Sequence, residues 1–339
     1  MNNNPLKTPC IILSCISLIS VAAVGVLAVS NADLKENTDA APVYVPVYET
    51  TAETAAETEA AAEAEAMTEP PAETEAPETE FAPPVTDENT VYMYDDGITL
   101  LEYPAIEGVT MNDFDMSLLE TDDRKHKTLF DKDGNKRTRF GIDVSSYQMN
   151  IDWNAVAADD VEFAFIRIGY RGYETGKLCE DKYFRRNIEG ATAAGIDRGV
   201  YFFSQAITPE EAKEEAEYVI SILNDCNAEL TLPIVFDWEF PTDEDPARTD
   251  DLDGDTQTEC CIAFCEAVKA AGYEPMYYST INTAVFRYDM SRLTDYPIWI
   301  AEYTPEAHFV YDYKMWQYSC SGIVSGIEGF VDLNIMINE

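Results

Sequence analysis

Two carboxylic acids lie two residues apart where an apolar run of the chain ends. Residues 232–236 read Leu-Pro-Ile-Val-Phe, and Asp237, Trp238 and Glu239 follow directly. Residues two apart on a strand point to the same face, so Asp237 and Glu239 would stand side by side where a buried strand emerges. Cleavage of a glycosidic bond needs such a pair, because one carboxyl must hold a proton while its neighbour stays charged. The alternative is an exposed acidic loop, which three further acids at residues 243–245 favour.

Strand and helix patterns alternate from Phe140 onward, and this alternation must position the pair. Several of the strand segments are continuous apolar runs, which is typical of a parallel sheet covered on both faces. Alternation of this kind predicts right-handed strand-helix-strand units. The candidate strands occupy residues 140–144, 163–168, 199–203, 233–238, 275–279, 297–301, 314–318 and 330–333.

Three helices between these strands carry clear start or stop signals. Thr208 followed by Pro209 and a glutamate at Glu211 predicts a capped helix that continues to about residue 224. A second helix should run over residues 256–271 and a third over residues 181–194, each ending at a glycine.

The connections shorten after residue 279. Residues 303–313 and 319–329 are too few and too irregular for a helical crossover, so loops should join the closing strands and at least one strand could run antiparallel. A unit of about 200 residues is small for an eight-stranded barrel. The prediction is therefore an irregular α/β, TIM-like barrel with eight strands.

Acids occur at the ends of three predicted strands. Asp143 ends the first strand and Asp332 lies in the last one, while Asp237 and Glu239 end the fourth. The chemistry of such barrels occurs at the carboxyl ends of the strands. Because the first and last strands of a closed barrel are neighbours, all four acids should converge on one site.

Several ordered blocks resemble one enzyme family. They are residues 141–148 (GIDVSSYQ), 151–153 (IDW), 199–203 (GVYFF), 236–239 (FDWE), 299–303 (WIAEY), 316–318 (WQY) and 331–334 (VDLN). Together they resemble the glycoside hydrolase family 25 muramidases, the Chalaropsis-type lysozymes. An Asp-x-Glu pair alone is a weak signal, whereas the ordered set is specific. The resemblance covers Phe140 to the C-terminus, and residues 1–139 lie outside it.

The resemblance implies hydrolysis of the β-1,4 bond between N-acetylmuramic acid and N-acetylglucosamine in peptidoglycan. The family fold is a barrel with about five helices, and it needs no metal or organic cofactor. By matching positions, Glu239 would be the general acid, and Asp237 would stabilise the positive charge on the reacting sugar. Asp143 and Asp332 would bind substrate and keep the proton on Glu239 through like-charge proximity.

Aromatic and amide side chains near the strand ends are candidate substrate-binding groups. Stacking on sugar rings is the functional interpretation, and ordinary core packing is the alternative, favoured at least equally for Trp299 and Trp316. Trp316 and Gln317 are adjacent, so one of the two faces inward, and the pattern leaves open which. The candidates are Tyr201, Tyr278, Trp299, Tyr303 and Gln317.

Two competing motifs fail on their spacing. The acidic run at residues 250–255 resembles a calcium loop, but aligning Gly254 with the loop glycine puts Thr249 first and Cys260 last. A solvated acidic loop is the better interpretation. Chitinases carry a further aspartate upstream of their Asp-x-Glu pair, and Val235 occupies that position here.

The chain before the barrel has three predicted parts. Residues 10–29 form an uncharged apolar run, which predicts a membrane anchor within residues 1–32, with a cleaved signal peptide as the alternative. Residues 33–90 are rich in Ala, Glu, Thr and Pro, which predicts a disordered acidic linker. Residues 91–139 are predicted to be a short lead-in that packs on the barrel. The catalytic domain would thus lie outside the cell, tethered or secreted.

Charge and cysteine usage limit the partners. A net charge of -42 excludes nucleic acid, because phosphate contacts need Lys and Arg. The expected partners are peptidoglycan strands and, through the anchor, the membrane, with the protein as a monomer. With two histidines, a His-based metal centre is not expected, and the six cysteines after residue 32 should be buried free thiols. The alternative function is a non-catalytic, membrane-anchored protein that binds wall glycans, which the complete set of four acids disfavours.

Overall fold

The computed structural model describes residues 90–95, 99–240 and 247–338. The predicted membrane anchor, its signal-peptide alternative and the linker up to residue 89 lie outside these ranges, as do the three acids at residues 243–245. Within the described ranges, no helix combines the length and the apolar composition that a membrane crossing requires.

The lead-in folds as two antiparallel hairpins. Strands β1 (Thr90–Asp95) and β2 (Thr99–Pro104) form the first, and β3 (Leu119–Thr121) and β4 (Lys127–Leu129) form the second. Their buried side chains, Val91, Met93, Tyr103 and Leu129, belong to the same apolar core as the barrel. The lead-in therefore packs on the barrel.

A tight turn joins the lead-in to the barrel, at the position that the run Asp-Lys-Asp-Gly-Asn predicts. The Asp131 backbone donates to the Asn135 carbonyl at 2.9 Å, and Gly134 supplies a left-handed residue with φ of +79°. Phe130 and Lys136 pair as an antiparallel bridge across the turn. Glycine fits here because it adopts positive φ at no steric cost.

All eight predicted strands are present and close into a barrel. The strands are β5 (Thr138–Val144), β6 (Phe163–Arg171), β8 (Asp197–Ser204), β9 (Ile234–Trp238), β10 (Pro275–Thr280), β11 (Ile298–Ala301), β12 (Met315–Gly322) and β13 (Val331–Ile337). Their spatial order is β5, β13, β12, β11, β10, β9, β8 and β6, and β6 pairs with β5 to complete the ring. A short strand, β7 (Leu178–Glu180), extends β6.

Strand directions confirm the prediction made from the short closing connections. Strand β13 runs antiparallel to both of its neighbours, β12 and β5, while the other adjacent barrel strands are parallel. Loops rather than helices join β11 to β12 and β12 to β13. The start of β13 therefore lies at the same end of the barrel as the carboxyl ends of the parallel strands.

Five α-helices accompany the barrel in the described part of the chain. The capping signals explain their ends: the Thr208 hydroxyl accepts from the Glu211 amide at 3.2 Å, and Gly195 ends a helix with φ of +74°. The helix predicted from residue 256 begins two residues earlier, because the Asp253 carboxylate caps it by accepting from the Thr256 amide. The helices are α1 (Trp153–Ala158), α2 (Phe184–Ala194), α3 (Pro209–Cys226), α4 (Gly254–Ala270) and α5 (Ile281–Phe286).

The barrel interior is filled by aromatic side chains that lie over glycines. A Cβ atom on Gly141 would come within 2.5 Å of the Phe163 ring, and one on Gly199 within 2.3 Å of the Phe165 ring. Burying one such phenylalanine stabilises the fold by about 1.5–3 kcal/mol. The two glycines that open the GIDV and GVYF blocks thus serve core packing.

The lead-in also holds the loop between β11 and β12. The Asn112 side-chain amide donates to the Phe309 carbonyl at 2.7 Å. The Lys127 ammonium donates to the Pro305 carbonyl and lies 5.5 Å from the centre of the Trp316 ring. Residues that the family blocks do not include therefore support a loop that begins at the mouth of the barrel.

The six cysteines of the described chain are free thiols, as expected. The expectation of burial holds for three of them, and the other three are partly exposed. The buried ones are Cys260, Cys261 and Cys265, and the partly exposed ones are Cys179, Cys226 and Cys320.

Candidate active site

The four predicted acids lie together at the mouth of the barrel. Asp332 on β13 is the direct register partner of Asp143 on β5, as the closed barrel predicts. Asp237 is the residue before the end of β9, beside Tyr278 of β10. Asp143 and Glu239 both act electrostatically on Asp237 and on Asp332, so the four carboxyl groups share one electrostatic environment.

Asp143 is buried and held by two amides. One oxygen, Oδ2, accepts from the Gln317 side chain at 2.8 Å and from the Asn334 side chain at 2.7 Å. Burial raises its pKa to about 6, while the two amide donors lower it. Asn334 was not among the predicted site residues, although its spacing from Asp332 gives a signal, since residues two apart on a strand share a face.

Asp237 has a buried carboxyl group that lies close to two other acids. Burial raises its pKa well above the usual value, and the nearby Glu239 and Asp143 raise it further. Its Oδ1 atom is buried without a hydrogen-bond partner among the described residues. An unpartnered buried acceptor costs about 1–3 kcal/mol, so this atom favours either a proton or a ligand donor.

Asp332 and Glu239 are only partly buried, and both lie on the open side of the cluster. Burial and the neighbouring Asp143 and Glu239 raise the pKa of Asp332 well above its usual range. The backbone carbonyl of Glu239 accepts from the Gln205 side chain at 2.8 Å. These two carboxyl groups are accessible to a substrate in the mouth.

Gln317 faces inward and connects Asp143 to two tyrosines. Its Oε1 atom accepts from the Tyr303 hydroxyl at 2.8 Å and from the Tyr278 hydroxyl at 3.2 Å. Its neighbour Trp316 points away from the barrel interior and is buried in the apolar core around it. The structure therefore settles which of these two adjacent side chains faces inward. Tyr303 is 53% exposed and offers a ring face at the mouth.

Trp299 lies beneath the cluster. It is 2% exposed, and its indole N–H donates to the Asn334 side-chain oxygen at 3.0 Å. Its ring lies edge-on to the rings of Tyr278 and Tyr201, with centroids 5.2 and 6.2 Å away. Trp299 therefore acts here as packed support, which is the core alternative, whereas the partly buried Tyr201 stays near the acids.

An arginine in the barrel wall escaped the prediction. The Arg167 side chain donates to Asp181 at 2.9 Å and to the Ser146 hydroxyl at 3.1 Å. Its positive charge lowers the pKa of Asp237, opposing the neighbouring acids. A charged residue inside the otherwise apolar run at residues 163–168 was the available signal.

This arrangement can perform acid–base chemistry on a neutral, ring-shaped ligand. Ionised carboxyl groups carry like charges, so neighbouring ones resist ionising together, and the pKa values of Asp237 and Asp332 are raised. Exposed aromatic rings at the ends of the strands offer stacking surfaces beside them. These are Phe240, Tyr303 and Phe330.

Known proteins resemble this chain in sequence and in fold. A family model described as "Glycosyl hydrolases family 25" matches residues 142–327. An autolytic lysozyme of Clostridium acetobutylicum is 28% identical over 198 residues, which are 57% of this chain and 54% of that protein. Lysozyme M1 of Streptomyces globisporus is 29% identical over 203 residues, which are 57% of this chain and 66% of that protein.

The fold also has relatives among solved structures. The modular autolysin LytC of Streptococcus pneumoniae superposes with a TM-score of 0.51 at 24% identity, over 75% of this chain and 57% of that one. The alignment spans about half the length of that autolysin and of the clostridial lysozyme, so these likenesses concern the shared domain. More than half of the present chain fits the family model, and the protein therefore belongs to the family 25 glycosyl hydrolases.

Proposed function

We propose that this protein hydrolyses the β-1,4 bond between N-acetylmuramic acid and N-acetylglucosamine in peptidoglycan. Family membership supports a glycosidase that acts on cell-wall glycan. The observation that carries the proposal is the meeting of Asp237 and Glu239 with Asp143 and Asp332 at the barrel mouth, where Glu239 and Asp143 raise the pKa values of Asp237 and Asp332. This is the environment that separates a proton donor from a charged neighbour.

In this proposal, Glu239 is the general acid. It follows the last residue of β9 and is partly exposed, so it can reach both the leaving oxygen and solvent. After donating its proton to the glycosidic oxygen, the same carboxylate accepts one from the attacking water. Positioned proton transfer of this kind contributes about 10²–10⁴-fold to the rate.

Asp237 stabilises the positive charge that develops on the reacting sugar. It does so either directly or by orienting the acetamido group of the substrate as an internal nucleophile. Its buried Oδ1 atom, which has no hydrogen-bond partner in the described part of the chain, is an acceptor that an acetamido N–H would satisfy. The free energy recovered by satisfying this atom then assists binding at the reacting ring.

Asp143, Asp332 and the groups around them bind the sugar. Gln317 holds Asp143 through its amide N–H and holds Tyr303 through its oxygen, so one side chain fixes the relative positions of the acid and the ring. Pre-set donors and acceptors of this kind lower the entropic cost of ordering a glycan strand. Tyr201 and Tyr278 form part of the same wall.

We also propose that the protein works as a monomer outside the cytoplasm, tethered by the apolar run at residues 10–29 or secreted after its cleavage. The uncharged run and the acidic linker that follows it support this location. Fractionation of the producing cell decides between the two forms. Tethered protein remains with the membrane with its N-terminus intact, whereas secreted protein appears in the medium and begins near residue 33.

Digestion of purified peptidoglycan tests the activity. The wild-type chain should release new reducing ends, and mass analysis should identify them as N-acetylmuramic acid. Glu239→Gln should lower the rate by about a thousandfold, because the amide cannot donate the proton. Glu274→Gln is a matched control, since Glu274 is exposed and precedes β10 at the opposite end of the barrel.

The alternative is a glycan-binding wall protein without catalysis. It predicts that the wild-type chain sediments with peptidoglycan but creates no new ends. It also predicts that Glu239→Gln leaves every measured property unchanged. The accessible position of Glu239 beside the unpartnered Asp237 oxygen disfavours this alternative.

A further inference from the structure

The buried side-chain amide of Gln205 binds the chain both before and after residues 240–248, the segment that follows Asp237 and Glu239. Gln205, the first residue after β8, donates from Nε2 to the Glu239 carbonyl at 2.8 Å and to the Ser204 carbonyl at 2.9 Å. Its Oε1 atom accepts from the Thr249 hydroxyl at 2.9 Å. Gln205 and Thr249 are both fully buried. The amide thus joins Glu239, before residues 240–248, to Thr249, after them.

The chemistry of its three partners sets the orientation of this amide. Two backbone carbonyls can only accept, so the NH₂ group must face them. The Thr249 hydroxyl then donates to the remaining oxygen, which leaves the amide fully hydrogen-bonded. A flipped amide would place its oxygen against two carbonyl oxygens in a dry site, where an unpaired polar atom is costly.

This contact holds the Glu239 backbone just beyond the last paired residue of the sheet. The last register pair between β8 and β9 is Ser204 with Trp238, one residue before Glu239. Phe240, the residue after it, is exposed. The hydrogen bond from Gln205 therefore fixes the Glu239 backbone where the sheet ladder has ended.

Ser204, the residue before Gln205, is held in place by a buried ion pair. The Ser204 hydroxyl donates to the Glu215 carboxylate at 2.6 Å, and Arg171 binds the same carboxylate at 2.7 Å. All three side chains are buried within the barrel wall and helix α3. Gln205 thus extends from a rigid ion-pair network, which is the support that a precisely placed catalytic group requires.

We propose that Gln205, oriented by Thr249, is the positioning residue of the general acid. The inference rests on the proposed function, because it gives Gln205 a role only through Glu239. Gln205 contacts no reacting atom. It holds the peptide from which the acid extends, so its loss should slow the chemical step more than it weakens substrate binding.

Three variants test this role. Gln205→Met and Thr249→Val keep the volume of each side chain but remove its hydrogen bonds, while Thr249→Ser keeps the hydroxyl. We expect Gln205→Met and Thr249→Val to lower kcat on solubilised peptidoglycan strands by about 10–100-fold, with KM changed less than about twofold. Thr249→Ser should stay within about threefold of the wild-type kcat. If Gln205→Met does not fold, the two Thr249 variants decide.

A double variant separates positioning from simple stability. Adding Gln205→Met to Glu239→Gln should cause no further loss of activity, because the side chain that Gln205 positions is already disabled. Wild-type kcat in folded Gln205→Met and Thr249→Val, with only a lower unfolding free energy, would overturn the inference. A further loss in the double variant would also overturn it. An inactive wild-type chain would instead reject the proposed function, so the two failures are distinct.

Discussion

Two sets of buried carboxylates in this barrel have opposite surroundings. In the wall, Glu215 binds Arg171 at 2.7 Å, and Asp181 binds Arg167 at 2.9 Å. At the mouth, Asp143 is held by neutral amides, and one oxygen of Asp237 has no partner among the described residues. Charges around Glu215 oppose the effect of burial on its pKa, whereas those nearest Asp237 add to it.

The difference separates structural acids from catalytic ones. A buried acid with an arginine holds two elements together, and its partner offsets part of the cost of desolvation, although burial still raises the pKa of Glu215 to about 7. Acids that face one another destabilise the fold, so stability alone gives no reason to gather them. Groups of like charge gathered in a cleft have strongly shifted pKa values, which are typical of functional sites, and a cost in stability is typical of active sites.

The largest expected effect is a loss of stability when the buried ion pair between Arg171 and Glu215 in the barrel wall is broken. Arg171→Met should lower the free energy of unfolding by about 3–5 kcal/mol, because it leaves the buried Glu215 without its cation. Urea unfolding measures this change. Arg185→Met is the matched control: Arg185 also binds two acids but is half exposed, and the loss there should stay below about 1 kcal/mol. Equal losses in the two variants would remove the distinction between buried and exposed pairs.

Substitution of an acid at the mouth should raise stability instead of lowering it, while activity falls. Asp237→Asn should lower kcat by about 10²–10³-fold, because it removes a charge that stabilises the transition state. The same substitution should raise the free energy of unfolding at neutral pH, since it removes an acid whose ionisation in the folded chain is opposed by burial and by Glu239 and Asp143. Paired measurements of kcat and urea unfolding check both parts. A destabilised Asp237→Asn variant would mean that this acid supports the fold.

The pH dependence of that stabilisation sharpens the comparison. Asp237 has a raised pKa in the folded state, so the folded chain binds a proton that the unfolded chain releases above about pH 4. Stability from this group is therefore lost as the pH rises above about 4, at up to about 1.4 kcal/mol per pH unit, until the folded-state pKa is passed. Asp237→Asn should consequently stabilise the protein more at pH 8 than at pH 4.5. The same gain at both values would contradict a raised pKa.

The smallest expected effect concerns a buried cation of the lead-in. Burial lowers the pKa of Lys127 to about 8, so between about pH 8 and 10.5 the unfolded chain binds more protons than the folded one. Stability should rise with pH in this window relative to Lys127→Met, by on the order of 1 kcal/mol because the site is only partly shielded from water. Unfolding curves of both proteins at pH 7.5 and 10 measure this difference. A constant difference would indicate that Lys127 is hydrated in the folded protein.

Much of the barrel could be predicted because its signals are local. Apolar runs, the Thr208 cap and the glycine at Gly195 mark elements within a few residues, and all eight strands were found. The four acids also followed, since strand ends in a closed barrel meet at one mouth. The predicted Asp143 and Asp332 neighbours became direct register partners.

Other site residues were missed because their role depends on contacts across the fold. Asn334 was missed because it binds Asp143 from a distant part of the chain, and only its spacing from Asp332 pointed to the site. Gln317 was predicted as a site residue, but its contact with Asp143 was not. Gln205 was missed for the same reason as Asn334, since its partners Glu239 and Thr249 lie 34 and 44 residues away. For Trp299 the sequence left sugar stacking and core packing open, and the structure shows that it packs beneath the acids.

The amino-acid sequence by itself determined the barrel, its irregular closing strands and the acids at its strand ends. Its signals are the pattern of apolar residues, the helix caps and the turn residues, and these act over short distances along the chain. The tertiary structure alone decided which carboxyl groups pair with an arginine, which side-chain amide binds the Glu239 backbone, and how the lead-in supports the loop after β11. These depend on burial and on hydrogen bonds between segments far apart in the chain. Such contacts exist only once the ring of strands has closed.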